Sequence, residues 1–293
     1  MTALTSEQER IEHCQQQYRL TYHVPYAFTC DRMVGFAGKD VLEVGGSLCK
    51  DFVMSELQPN SWTGMEAPDY AEEVGDANPD GTGVQGQTLA ALSTSERGFA
   101  ALQLEPGSYS TFYANIEDLP DAHRGTYDLV FSIACFEHIL RFPEALAAMH
   151  AALKPGGQLW TMFSPIWSAF DGHHLPAVTD AEGRTFDKKN SPIPPFGHLL
   201  MSPGQMYDYL MQHTDRQAAA EMVYYIYNSP HLNRYFTEDY ATFVQRSAFE
   251  VVRIEGTFPV QLAPDGQRKL QTACRGHTQF ANNGLLMLLS KAG

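Results

Sequence analysis

The stretch 41-VLEVGGS-47 ends an apolar run in two adjacent glycines and carries one acidic side chain, Glu43. A glycine pair after a buried strand lets a ligand lie against bare backbone, and a helix that follows presents unpaired N–H groups. The spacing excludes the commoner occupants of such a turn. A dinucleotide loop wants G-x-G-x-x-G, but counted from Gly45 the later glycine positions hold Ser47 and Lys50. A phosphate-cradling G-K-[ST] is missing too, and a carboxylate inside the loop repels an anion while accepting bonds from an ammonium or hydroxyl. The ligand expected at Glu43, Gly45, Gly46 and Ser47 therefore carries hydroxyls and positive charge. Glu66 lies 21 residues beyond Gly45, where an acidic side chain at the end of a second strand takes both hydroxyls of a ribose.

A second group sits in 164-SPIWSAFDGHHLP-176. Asp171, His173 and His174 fall within four residues around Gly172, and His198 follows a glycine further on. Three uses are open to them: packing, taking a proton from an attacking hydroxyl or amine, or metal ligation. Adjacent residues on an extended loop point opposite ways, so one of the pair faces the site. His173 shares a face with Asp171, which makes it the first choice. Trp167, Asp171, Tyr207 and Tyr225 are the candidate substrate-lining residues. No tight ligand spacing is evident, so no resident metal is expected.

These groups need a scaffold. DVLEV (40–44) reads as a buried parallel strand, and Leu48, Phe52, Val53 and Leu57 recur behind it at helical spacing with Ser47 placed to cap. SWTGME (61–66), YSTFYA (109–114), YDLVFSI (127–133) and QLWTMF (158–163) read as further strands. A helix with Pro143 in its first turn and Leu146, Met149 and Leu153 on one face is broken by KPGG (154–157). The segment 67–108 reads as an insertion with a helix near 86–101. Residues 164–235 lose the rhythm, which returns with a helix at 237–247 and strands at 249–255 and 283–290. Strands and helices alternating at this spacing imply βαβ units. The expected fold is α/β, a doubly wound, mostly parallel, seven-stranded sheet. It forms a single domain over 1–293, with a helical lid at 1–30 and a substrate-binding cap inserted at 164–235 after the fifth strand.

A net charge of −14 repels phosphate backbones and argues against a nucleic-acid partner. Five scattered cysteines, Cys14, Cys30, Cys49, Cys135 and Cys274, form no CxxC pair and suit a reducing compartment. The start MTALTSEQER lacks the blocks of a signal peptide, and runs such as 285-LLMLL-289 are too short to span a bilayer. A soluble cytoplasmic protein with no membrane partner is expected. The sequence leaves its oligomeric state open.

Two acidic acceptors, no phosphate grip and an adenosine-sized slot fit S-adenosylmethionine, whose sulfonium and ammonium are cationic. With these residues in view, the chain resembles the class I S-adenosylmethionine-dependent methyltransferases of Rossmann-like fold, in their small-molecule branch. VLEVGGS resembles the family's E-x-G-x-G motif, with Ser47 where the last glycine usually falls, and GMEAP carries the ribose-binding acid at Glu66. ANIEDLP (114–120) resembles G-D-A-x-x-L-P, which implies that Asn115 and Ile116 lie beside the adenine. YDLVFSIACFEHI (127–139) resembles the fourth motif, which implies Ser132 and Ile133 at the methionine end and His138 facing the reaction centre. LKPGGQLW (153–160) matches the turn before the fifth strand. The resemblance implies methyl transfer to oxygen or nitrogen of a small metabolite, with His173, His174, His138 and His198 as candidate catalytic residues. Two alternatives stay open: a protein methyltransferase, or a non-catalytic S-adenosylmethionine-binding protein.

Overall fold

The computed structural model describes residues 6–46, 48–67 and 102–293. Nine strands fall into a seven-stranded sheet and a two-stranded hairpin among the described residues. The sheet strands are β1 (Asp40–Val44), β2 (Ser61–Glu66), β3 (Ser108–Tyr113), β4 (Tyr127–Ile133), β5 (Leu153–Phe163), β8 (Glu250–Pro259) and β9 (Asn282–Ser290). Their order is β3-β2-β1-β4-β5-β9-β8, with β1 to β5 parallel and β9 antiparallel to both of its neighbours. The doubly wound, mostly parallel sheet expected from the pattern is present. The strand order reverses between β1 and β4, so the crevice beyond their carboxyl ends is where a ligand of such a sheet binds.

Burial explains why the central strands read so clearly. From Val41 on, β1 is buried, and the central six residues of β9 are buried too, because both faces of the sheet are covered. On one face α1 (Glu7–Tyr18), α2 (His23–Met33) and α3 (Lys50–Phe52, continued by a wider turn over Val53–Leu57) pack Val24, Ala27, Phe28 and Phe52 against Trp62, Phe131 and Trp160. The other face holds Leu146 and Met149 of α4 (Phe142–Ala152) beside Tyr240 and Val244 of α8 (Thr237–Arg246). At the end away from the crevice, the Lys154 ammonium bonds Asp40 and Asp128, both at 2.8 Å, and ties β1, β4 and β5 together.

Several boundaries differ from the sequence reading. β3 begins one residue early, and β5 already starts at Leu153, so KPGG ends the helix yet belongs to the strand. A helix over Pro264–Ala273, α9, was not foreseen because Leu270 is its one buried residue. The expected helix near 86–101 lies outside the described residues, as does most of the insertion.

The segment 164–235 has a core of its own. It contains the hairpin β6 (Val178–Thr179) and β7 (Thr185–Phe186), then α5 (Gly197–Leu200), α6 (Pro203–Leu210) and α7 (Arg216–Asn228). Trp167, Leu175, Val178, Met206, Leu210, Met222 and Ile226 cluster there.

Candidate active site

The glycine turn is shaped by what surrounds it. Gly45 has φ +110 and Gly46 φ +53, conformations that side chains rarely adopt. A Cβ on Gly45 would stand 2.9 Å from the Cβ of Cys135, and one on Gly46 would stand 3.2 Å from the Met65 carbonyl. The turn is thus threaded between the ends of β2 and β4. Its amide at Gly45 donates to the Met65 carbonyl at 2.8 Å.

Glu43 works inside the protein. Its carboxylate, fully buried, accepts from the Leu48 amide at 3.1 Å and from the Trp62 indole at 3.0 Å. The expectation that it grips the ligand meets a side chain whose two oxygens already hold the turn closed. Ser47, expected to cap the helix, lies outside the described residues; the helix begins from Cys49, which makes no side-chain cap bond.

Glu66 differs. It is 8% exposed, and among the described residues its buried Oε1 has no hydrogen-bond partner. Burial, and then the charge of Glu43, push its pKa from 4.5 up to about 8. An orphaned carboxylate oxygen at the end of β2, beside a turn that any Cβ would obstruct, suits two hydroxyl donors. Next to it, the amide of Ala114 donates to the Glu66 carbonyl at 2.9 Å, which brings Asn115 (half-buried) and Ile116 (buried) alongside. Ser132 is buried, and its hydroxyl donates to the Val44 carbonyl at 2.7 Å, so it links β4 to β1; Ile133 follows in the core beneath the turn.

Beyond β4 a second polar group gathers. Glu137 and His138 lie in the short turn Phe136–His138, and His174 comes from the loop after β5. Ligand atoms of the three all lie within 4.8 Å of one another, with His174 Nε2 3.9 Å from Glu137 Oε1. Glu137 is 2% exposed. Among the described residues, its Oε2 and the His174 Nε2 are buried without hydrogen-bond partners. Burial raises the Glu137 pKa and lowers those of His138 and His174 to about 4. Both histidines are therefore neutral at pH 7. The charge of Lys188, which is exposed, reaches Glu137 and His174.

The adjacent histidines do part company, but His174 takes the place expected for His173. Gly172 is pressed on residues 166–167, where a Cβ would stand 2.3 Å from the Ile166 carbonyl, and His174 itself turns at φ 44. That turn swings His174 against His138, ring centres 5.2 Å apart. His173 accepts from the Leu175 amide at 3.2 Å and lies 5.8 Å from His198. His198 donates to the Trp167 carbonyl at 2.8 Å and packs edge-on to its ring. His173 and His198 are buried, with pKa values lowered to about 4 and about 3 by that burial. Trp167 is in the core cluster of the segment 164–235, and Tyr207 and Tyr225 pack against it. Asp171 is half-buried, and among the described residues its Oδ1 has no hydrogen-bond partner.

Sequence reasoning missed Glu137 and Asn233. The Asn233 side chain donates to the carbonyls of Phe136 (2.6 Å) and Ile139 (3.0 Å), its amide donates to that of Glu137 (2.9 Å), and its Oδ1 accepts from Tyr240. This pins the end of the segment 164–235 to the turn that carries Glu137 and His138. The one signal for Glu137 was an acid, next to His138, inside a run whose other residues are apolar, 133-IACFEHI-139.

Residues 84–161 match the profile of a methyltransferase domain. No curated protein matches the chain by sequence. Among solved structures, the chain is similar to an S-adenosylmethionine-dependent methyltransferase from Mesorhizobium loti at 13% identity and a TM-score of 0.46, covering 92% of this chain and 98% of that one. It is also similar to phosphoethanolamine N-methyltransferase 2 of Haemonchus contortus, in complex with S-adenosyl-L-methionine, at 12% identity and a TM-score of 0.45. That likeness covers 92% of this chain and 52% of the Haemonchus chain.

Proposed function

We propose that this chain is a class I S-adenosylmethionine-dependent methyltransferase that transfers a methyl group to an oxygen or nitrogen of a small metabolite enclosed beneath the cap. S-adenosylmethionine supplies a methyl group on a sulfonium, a cation that needs no phosphate grip. The orphaned carboxylate of Glu66 carries the donor half of the reading, since it suits the two ribose hydroxyls; Gly45 and Gly46 keep the approach clear. Asn115 and Ile116 border the adenine, and Ile133 and Ser132 support the methionine end.

The acceptor half rests on the buried convergence of Glu137, His138 and His174. Positioning an acceptor in line with the methyl is most of the work in such a transfer. A site closed by a cap with its own hydrophobic core favours a molecule that can be enclosed over a segment of a folded protein. The net charge of −14 disfavours a nucleic-acid acceptor. His173, His198, Trp167, Tyr207 and Tyr225 support the cap, while Asp171 leads into the turn that aims His174. Among the described residues no helix is long and apolar enough to cross a membrane, and a cytoplasmic setting fits five free cysteines.

The test uses methyl-labelled S-adenosylmethionine and a cell extract divided by ultrafiltration. Label transferred by the protein to the low-mass fraction is expected. Label confined to the protein fraction would overturn the small-molecule reading. Calorimetry should detect S-adenosylhomocysteine, with NAD and ATP silent; no binding would remove the donor assignment.

A further inference from the structure

We infer that Glu137, His138 and His174 form a binding site for one divalent first-row transition-metal cation, zinc being the simplest probe, with coordination positions left open for an oxygen of the methyl acceptor. Sequence spacing had directed attention to Asp171, His173, His174 and His198, of which only His174 belongs to this set.

The geometry carries the assignment. His138 donates through Nδ1 to the His231 carbonyl at 2.6 Å, and His174 donates through Nδ1 to the Gly172 carbonyl at 3.1 Å. A carbonyl cannot donate, so each Nδ1 holds the proton and each Nε2 presents its lone pair. Backbone carbonyls behind both rings are the arrangement by which proteins fix the tautomer and orientation of ligating histidines. Facing them is a carboxylate nine-tenths buried whose Oε2 is unpartnered among the described residues, as is His174 Nε2. Two buried acceptor atoms left unsatisfied among the described residues, Glu137 Oε2 and His174 Nε2, converge with the His138 ring, an arrangement that a cation would complete. Ligands around one zinc-sized ion at about 2.1 Å stand about 3.0–3.4 Å apart, so the 3.9 Å between His174 Nε2 and Glu137 Oε1 would close by about 0.5–0.9 Å, and the group, whose ligand atoms lie within 4.8 Å of one another, would contract around the ion. Two imidazoles and a carboxylate suit zinc, iron(II) or manganese better than calcium or magnesium.

The place of this site relative to the methyl donor rests on the preceding proposal; its affinity for metal does not. Cys135, against the Gly45 turn, feels the charges of both Glu137 and Glu66. An acceptor hydroxyl bound to the cation loses its proton to water, the oxygen forms a bond to the methyl carbon, and the carbon–sulfur bond breaks to leave a neutral thioether. The inference therefore narrows the acceptor atom to oxygen.

The experiment titrates cobalt(II) into the metal-stripped full chain, read by calorimetry and by visible absorption. One equivalent should bind with the bands of a low-coordinate nitrogen–oxygen site. Glu137→Gln and His174→Asn should each weaken binding by at least about 10–100-fold; asparagine tolerates the left-handed backbone at 174. His213→Ala, an exposed histidine, should bind as the parent does. S-adenosylhomocysteine affinity measured on the same samples reports whether the variants remain folded. Absent or non-stoichiometric cobalt binding by the parent, or parent-like binding in both variants, would overturn the site. Cobalt binding without S-adenosylhomocysteine binding would leave the metal site standing and overturn the donor reading instead.

Discussion

Replacing Glu66 by glutamine should stabilise the protein while weakening its hold on the cofactor, and the size of the first effect follows from the structure. Glu66 is 8% exposed, and its pKa is raised from 4.5 to about 8, mainly by burial and secondarily by Glu43. Below pH 4.5 the group is protonated whether the chain is folded or not, so it has no effect on stability. Between 4.5 and 8 the unfolded chain releases the proton while the folded chain keeps it, and stability falls by about 1.4 kcal/mol per pH unit. The accumulated penalty at pH 8 is about 4–5 kcal/mol. Glutamine is neutral at every pH and removes that penalty. Urea unfolding of parent and Glu66→Gln should therefore agree near pH 4 and diverge as pH rises, with the variant more stable by a few kcal/mol at pH 8. An ionised carboxylate accepts two ribose hydroxyls, so parent affinity for S-adenosylhomocysteine should rise as pH approaches 8. The variant should lose about 1–3 kcal/mol of binding and most of that pH dependence. A stability difference that does not change with pH would refute the buried-acid argument. Unchanged cofactor affinity would remove Glu66 from the ribose.

Other expectations follow from the same contacts. Gly45→Ala puts a Cβ 2.9 Å from Cys135 in a left-handed backbone; it should cost about 1–3 kcal/mol of stability and abolish S-adenosylhomocysteine binding in calorimetry. Trp62→Phe leaves Glu43 Oε2 without its indole donor; chemical denaturation should register a loss of about 1–3 kcal/mol. Asn233→Ala frees the turn over Phe136–His138 from the cap; methyl transfer should fall while S-adenosylhomocysteine affinity stays near the parent value, and equal activity would make Asn233 a cap residue only. His198→Ala should lower the melting temperature through lost cap packing, whereas His174→Asn should lower transfer at nearly parental stability; the reverse pattern would exchange their roles.

The sequence by itself determined the sheet and marked the glycine turn and Glu66 on which the donor proposal rests. β1, β4 and β9 are covered on both faces, so their sequences are mostly apolar rather than alternating, and two glycines in a row after β1 mark a turn that needs left-handed backbone and close approach. Glu66 was legible for a similar reason, being an acid placed where a strand must stop. Tertiary structure alone decided which groups meet. Glu43 faces Trp62 because β1 and β2 are neighbours, a pairing that no local period records. Alternation along an extended loop pointed to His173, but the press of Gly172 against residues 166–167 and the left-handed turn at His174 reversed the choice. Glu137 and His138 meet His174 only because β4 and β5 lie side by side and discharge their loops at the same edge, while Asn233 draws the end of the cap back onto the first of those loops. Periodicity reports how a residue is buried by its own element. Convergence between loops depends on strand order and on the packing that turns each loop, and those are properties of the folded chain.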